Sequence, residues 1–213
     1  MEVERTSAEH GGDPGTTAAP RPRLFLITGI MASGKSTLAQ GLAERLPKSV
    51  HLRGDAFRRM IVNGRAELIA PLSDAARAQL DLRYRLAAAA AKSYLAAGFS
   101  VVYQDIILGE DLSRVLSYHS YRPLHVVVLC PRAEVVARRA RDRSKPGYTA
   151  ALGVDELDRA LRTVTPRIGL WLDNSDQDVA ESVDLILGRL HDAAIGEAVP
   201  VSPSPSEHLQ LDS

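Results

Sequence analysis

The chain has 213 residues, enough for one well-filled core and short for two, and its 26 Lys+Arg against 26 Asp+Glu leave a formal net charge of +0. It has no long cationic stretch to follow a nucleic-acid backbone and no apolar run long enough to cross a bilayer. The first 22 residues are polar where a signal peptide would need an apolar stretch, so the composition disfavours nucleic-acid and membrane partners and fits a cytoplasmic enzyme.

In chain order, residues 1–22 carry charges, Gly11-Gly12, Pro14, Pro20 and Pro22 without a hydrophobic period, and are expected to form a disordered leader. A catalytic domain is expected over residues 23–193, and the Pro- and Ser-rich stretch within 194–213 is expected to be a flexible tail. Leu24-Phe25-Leu26-Ile27-Thr28 is the first predicted strand, and it opens into Gly29-Ile30-Met31-Ala32-Ser33-Gly34-Lys35-Ser36-Thr37, a complete GxxxxGKS phosphate-binding loop. In such a loop the backbone N–H groups of Gly29, Ala32, Ser33, Gly34 and Thr37 are expected to curl around a phosphate chain. Lys35 is expected to meet the distal phosphates and the Ser36 hydroxyl to hold Mg²⁺. ATP or GTP with Mg²⁺ is the expected ligand, and the lack of an NKxD-like guanine reader favours ATP.

A helix running to about Leu46 leads to a second strand near Ser49–Arg53, which ends at Gly54-Asp55. In an open parallel sheet the residues just beyond the strands' carboxyl ends face the ligand crevice. Asp55 is therefore the candidate base for a hydroxyl attacking a γ-phosphate, with a helix cap as the structural alternative. Arg58, one helical turn on, is a candidate to hold an anionic or hydroxyl-rich acceptor, with Arg53 and Arg59 as alternatives. A long alanine-rich helix is predicted over Asp74–Ala97, with Leu80, Tyr84, Ala87 and Ala91 on one stripe. The third strand, Phe99–Tyr103, ends at Gln104-Asp105, where Asp105 is expected to orient the acceptor or to reach Mg²⁺ through water.

The fourth strand is His125–Cys130, and Cys130 is expected to pack in the core. On the following helix Arg139 and Arg143 are spaced i, i+4 and share a face, where they are expected to clamp the phosphates during transfer. Lys145-Pro146-Gly147 reads as a hinge for a lid that excludes water. A helix from about Asp155 to Val164 precedes a fifth strand, Gly169–Asp173. Asn174 or Ser175 is expected to cap the last helix, and the turn Asn174-Ser175-Asp176-Gln177 to border the base. His51, His119 and His125 have no metal-ligand spacing, and Trp171 is expected to anchor the fifth strand.

With these residues in place, the sequence from about residue 24 to 191 resembles the small-molecule branch of the nucleoside-monophosphate-kinase-like P-loop superfamily. The resemblance rests on Gly29–Thr37, on Gly54-Asp55-Ala56-Phe57-Arg58, on Arg139 and Arg143, and on Leu172-Asp173-Asn174-Ser175. It is similar to the group that includes chloramphenicol phosphotransferase, gluconate kinase, adenylylsulfate kinase and zeta-toxin-type sugar-nucleotide kinases. That likeness implies an α/β P-loop NTPase three-layer sandwich, a five-stranded parallel sheet with a helical lid, ATP as donor and Mg²⁺ as its companion. It also implies that Asp55 activates the acceptor hydroxyl and that lid arginines grip the phosphates. The chain departs from the gluconate kinases, whose Gly-His-Phe element is replaced by Ser144-Lys145-Pro146-Gly147-Tyr148, and Met60 to Ala76 matches none of these families well.

The function expected is an ATP-dependent phosphotransferase acting on a small-molecule hydroxyl, with an antibiotic or secondary metabolite as first choice of acceptor. Ile61, Val62, Leu68, Ile69, Leu72 and Tyr84 are expected either to wall that acceptor or to pack ordinarily. A sugar, sugar-acid or sugar-nucleotide kinase and a nucleotide-dependent regulatory protein are the alternatives, and the protein is expected as a monomer or homodimer.

Overall fold

The structure, a computed structural model, describes residues 21–142 and 154–196. Five parallel strands form its centre: β1 (Leu24–Gly29), β2 (Ser49–Arg53), β3 (Ser100–Gln104), β4 (Leu124–Leu129) and β5 (Leu170–Leu172), in the spatial order β2-β3-β1-β4-β5. The two-residue β6 (Ala194–Ile195) runs antiparallel to the start of β4. At the other end, Arg21 lies 5.6 Å from the Tyr121 ring centroid and Tyr121 donates its hydroxyl to Pro22 O. The remainder of the expected leader and tail, residues 1–20 and 197–213, lies outside the described residues.

The connections are α1 (Lys35–Glu44), α2 (Gly54–Arg59), α3 (Asp74–Ala96), α4 (Asp111–Ser117), α5 (Ala133–Arg141), α6 (Val154–Thr163), α7 (Val179–Gly188) and the single turn α8 (Leu190–Ala193). Side chains alternate across a strand, so each central strand feeds two cores. Leu24 and Leu26 of β1 join Val101, Tyr103, Val126 and the α3 residues Tyr84, Ala87 and Ala91 on one face. Phe25 and Ile27 join Leu38, Leu42, Val102, Val127, Val183 and Ile186 on the other. Burial on both faces explains why β1, β3 and β4 read as continuous apolar runs, and it produces the three layers expected.

The strand ends are in register where the chemistry must sit. Ile27 of β1 pairs with Gln104 of β3, which also pairs with Arg53 of β2. The first glycine of the phosphate loop and the Gly54-Asp55 turn therefore flank the end of β3, each one strand spacing away, about 4.8 Å. The expected cap at Asn174 or Ser175 is replaced by Asp178, which accepts from Glu181 N at 2.8 Å while the Glu181 carboxylate accepts from Asp178 N at 2.9 Å. This reciprocal box starts α7 one turn later than expected.

Candidate active site

The phosphate loop holds backbone conformations that its sequence was chosen to allow. Gly29 has φ 145°, and a Cβ there would lie 2.6 Å from Leu129 O, so the loop leaves β1 pressed against β4. Gly34 has φ 97° and caps α1, while Ala32 takes φ 59° without being glycine, a strained left-handed geometry of the sort found at functional sites. Lys35 is buried at 7% exposure and donates from Nζ to Ile30 O at 2.5 Å. Ser36 lies half-buried in the first turn of α1 and Thr37 is exposed beside it.

Arg139 reaches the loop from α5. Its Nη1 donates to Ser33 O at 3.3 Å and its Nη2 to Asn174 O at 2.9 Å, while Asn174 Nδ2 donates to the same Ser33 O at 3.0 Å. Three chain segments far apart in sequence thus converge on one loop carbonyl. Ser33 Oγ and Asn174 Oδ1 are buried without a partner among the described residues, polar atoms placed to bond a ligand. Beside them opens a cavity of about 330 Å³ lined by Ala32, Gly34, Thr37, Arg139, Asn174 and Gln177, of a size suited to a nucleotide base. A larger cavity of about 560 Å³, between α3 and Tyr118–Tyr121, lies by Leu24 at the opposite end of the strands and has no part in this site. Arg143 and Lys145-Pro146-Gly147 lie outside the described residues.

Asp55 stands on the first turn of α2. Its Oδ2 is 2.9 Å from Arg59 Nη2, with the two side chains 35% and 59% exposed, and its Oδ1 is buried without a partner among the described residues. Arg58, by contrast, is only 6% exposed and donates to Ala66 O at 2.6 Å. Gln79 of α3 completes that strap, accepting from Ala66 N at 2.9 Å and donating to Gly64 O at 2.8 Å. In this structure the Arg58 guanidinium, expected to hold the acceptor, fastens the loop after α2, and Arg59 is the arginine paired with Asp55.

Asp105 is likewise held by protein groups. It is 2% exposed, accepts from Arg83 Nε and Ile106 N at 2.7 Å each and from the Tyr103 hydroxyl at 3.1 Å, and its Oδ1 also meets Arg83 Nη2. In this structure both of its oxygens are occupied by protein donors. Arg83 was not anticipated; its one sequence signal is a charge placed four residues before Ala87 on the stripe facing the sheet. The expected apolar wall disperses as well, since Leu68 and Tyr84 are buried in packing while Val62 and Ile69 face solvent at 87% and 55% exposure.

The histidines behave as structural groups. His51 Nδ1 meets Gln40 Oε1 at 2.9 Å, His125 stacks on Phe25, and burial lowers both pKa values from the ordinary 6.5. His119 is held down to about 4 by burial, with the Arg122 guanidinium adding to the effect. Cys130 is half-buried with its thiol pushed up by burial, and Trp171 packs against the core with the Arg167 guanidinium 3.9 Å from its ring centroid. Among the described residues no group of three or more His, Cys, Asp or Glu is arranged to hold a metal ion, and no helix is long and apolar enough to cross a membrane.

Residues 24–166 match the family model described as AAA domain. The chain belongs to this family. Among curated proteins, none matches it. Solved structures share the fold of this AAA-domain protein. A sugar kinase from Janibacter sp. HTCC2649 is 22% identical over 81% of this chain and 96% of its own, with a TM-score of 0.60. The APS kinase of Mycobacterium tuberculosis, solved with AMPPNP and APS, is 22% identical over 81% and 99%, with a TM-score of 0.59. A gluconokinase from Sinorhizobium meliloti 1021 is 23% identical over 80% and 93%, with a TM-score of 0.53. The α/β sandwich, with its glycine-rich loop at the end of β1, has the same fold as these three kinases.

Proposed function

We propose that this chain transfers the γ-phosphoryl group of ATP to a hydroxyl of a small acceptor of the sugar or sugar-acid class. The observation that carries the proposal is the Asp55 carboxylate, with one oxygen steadied by Arg59 and the other buried and without a donor among the described residues. An acceptor hydroxyl bonded to Oδ1 would be aligned for attack and would lose its proton to the carboxylate as the new P–O bond forms. Water would be excluded by the acceptor and by closure over the nucleotide, which keeps transfer ahead of hydrolysis.

The backbone of Gly29, Ala32, Ser33, Gly34 and Thr37 would wrap the phosphates, Lys35 would shift from Ile30 O to their distal end, and Arg139 would neutralise charge there. Arg143 is retained as a second phosphate-gripping arginine. The Ser36 hydroxyl would hold Mg²⁺, which when bound offsets charge on the β- and γ-phosphates. A site with few protein ligands suits an ion coordinated largely by phosphate oxygens and water.

Support for a sugar or sugar acid comes from the sugar kinase and gluconokinase among the similar structures, and from the exposed Arg53 and Arg59 beside Asp55, which suit hydroxyl and carboxylate groups. An antibiotic-like acceptor is favoured by one feature, the exposed Met60 (68%), Val62 (87%) and Ile69 (55%) on the loop after α2. Acceptor-dependent ADP release across sugars, sugar acids, nucleosides and antibiotics separates these classes. Slow ATP hydrolysis that no acceptor stimulates would overturn the proposal in favour of a nucleotide-dependent regulator.

A further inference from the structure

Arg83 and Asp105 form an ion pair whose side chains are 7% and 1% exposed, sealed beneath the end of the sheet. Such a pair adds little net stability over well-packed apolar residues, so its worth lies in what it holds in place. Above it lies Gly54: a Cβ on that residue would fall 1.9 Å from Asp105 Oδ2 and 3.1 Å from Tyr103 Cε2. The backbone of α2 therefore rests directly on the carboxylate with no side chain between them. The helix has only six residues, and its N-cap Arg53 makes no side-chain capping bond, so its seating depends on what lies below. Asp55 is the next residue along.

We propose that the Arg83–Asp105 pair is a positioning element for Asp55. Arg83, Tyr103 and the Ile106 amide lock the Asp105 carboxylate in one orientation. That carboxylate sets the height of the Gly54 turn over β3, and the turn sets where Asp55 points. Both side chains are buried, so on this proposal the pair acts through the backbone of α2. The inference rests on the reading of Asp55 as the hydroxyl-activating group, and it predicts an effect on turnover without an effect on nucleotide affinity.

The test uses the full chain with Gly54→Ala, which pushes α2 off the carboxylate without altering a charge, and Asp105→Asn, which keeps shape but weakens the grip of Arg83. Arg83→Lys retains the opposite charge and serves if Asp105→Asn does not fold. Ile186→Ala, in the opposite core, is the control for general destabilisation. Amide hydrogen exchange across residues 54–59 is expected to rise about fivefold or more relative to the rest of the chain in the three site variants and not in the control. Affinity for a fluorescent ATP analogue is expected to stay unchanged. ADP release, measured with D-gluconate as probe acceptor and as acceptor-free hydrolysis, is expected to fall about tenfold to a hundredfold, the cost of misplacing a reacting group by about 1 Å. Unchanged exchange in α2, or an equal rise in Ile186→Ala, overturns the inference. If Asp55→Asn turns over ATP like the unaltered chain while α2 still loosens in Gly54→Ala, the role of Asp55 fails and the hold of the pair on α2 stands.

Discussion

Replacing Asp55 by Asn separates chemistry from folding, because the two effects differ greatly in size. The substitution keeps the side chain's shape and removes one interaction, the i, i+4 pair with Arg59 at 2.9 Å, whose partners are 35% and 59% exposed. Solvent screens such a pair, which contributes about 0.3–0.5 kcal/mol, so thermal unfolding should shift by only about 1–2 °C. Loss of a general base instead costs about 10²-fold or more in rate, or about 2.7 kcal/mol of barrier at 1.36 kcal/mol per decade. Phosphoryl transfer should thus fall by at least two orders of magnitude in a protein that unfolds and binds ATP almost as before. The assay is acceptor-dependent ADP release at saturating ATP, paired with calorimetric unfolding and titration of a fluorescent nucleotide. Undiminished transfer at saturating acceptor would refute the role of Asp55, and a loss of fold as large as the loss of rate would refute the energetic reasoning.

Lys35→Ala should lower turnover by about 10²-fold or more even at saturating ATP, because it removes the cation meant for the distal phosphates; single-turnover kinetics distinguish this from weaker binding. Asn174→Ala removes a donor to Ser33 O and a wall of the 330 Å³ cavity, and should weaken nucleotide binding about tenfold with little change in acceptor KM, measured by calorimetric titration. His119 supplies a pH prediction. Its pKa falls from 6.5 in the unfolded chain to about 4 when folded, so the unfolded state binds the extra proton between those values. Stability should therefore decline as pH drops from about 6.5 to 4, by up to roughly 3 kcal/mol from this residue. His119→Leu should flatten that part of the profile, as read from urea midpoints across pH.

The strands, the phosphate loop and the order of the layers were legible because their signals are local. β1, β3 and β4 are apolar runs closed by Gly, Asp or Pro, and Gly29–Thr37 needs no distant partner to define its ligand. The Asp178…Glu181 box that caps α7 and the i, i+3, i+4 spacing of Leu112, Val115 and Leu116 in α4 are equally local. Position at a strand's end singled out both Asp55, as the base, and Asp105, as an acceptor or metal contact. Only tertiary structure separated them, by bringing Arg83 from 22 residues away to seal one carboxylate while leaving an oxygen of the other without a partner among the described residues. The same holds for Arg58, drawn to Ala66 O, and for Asn174, which meets Ser33 across 141 residues. Period and motif declare which groups are present and which face they share, whereas the burial and pairing that decide whether a charge can act arise from contacts between segments distant in sequence.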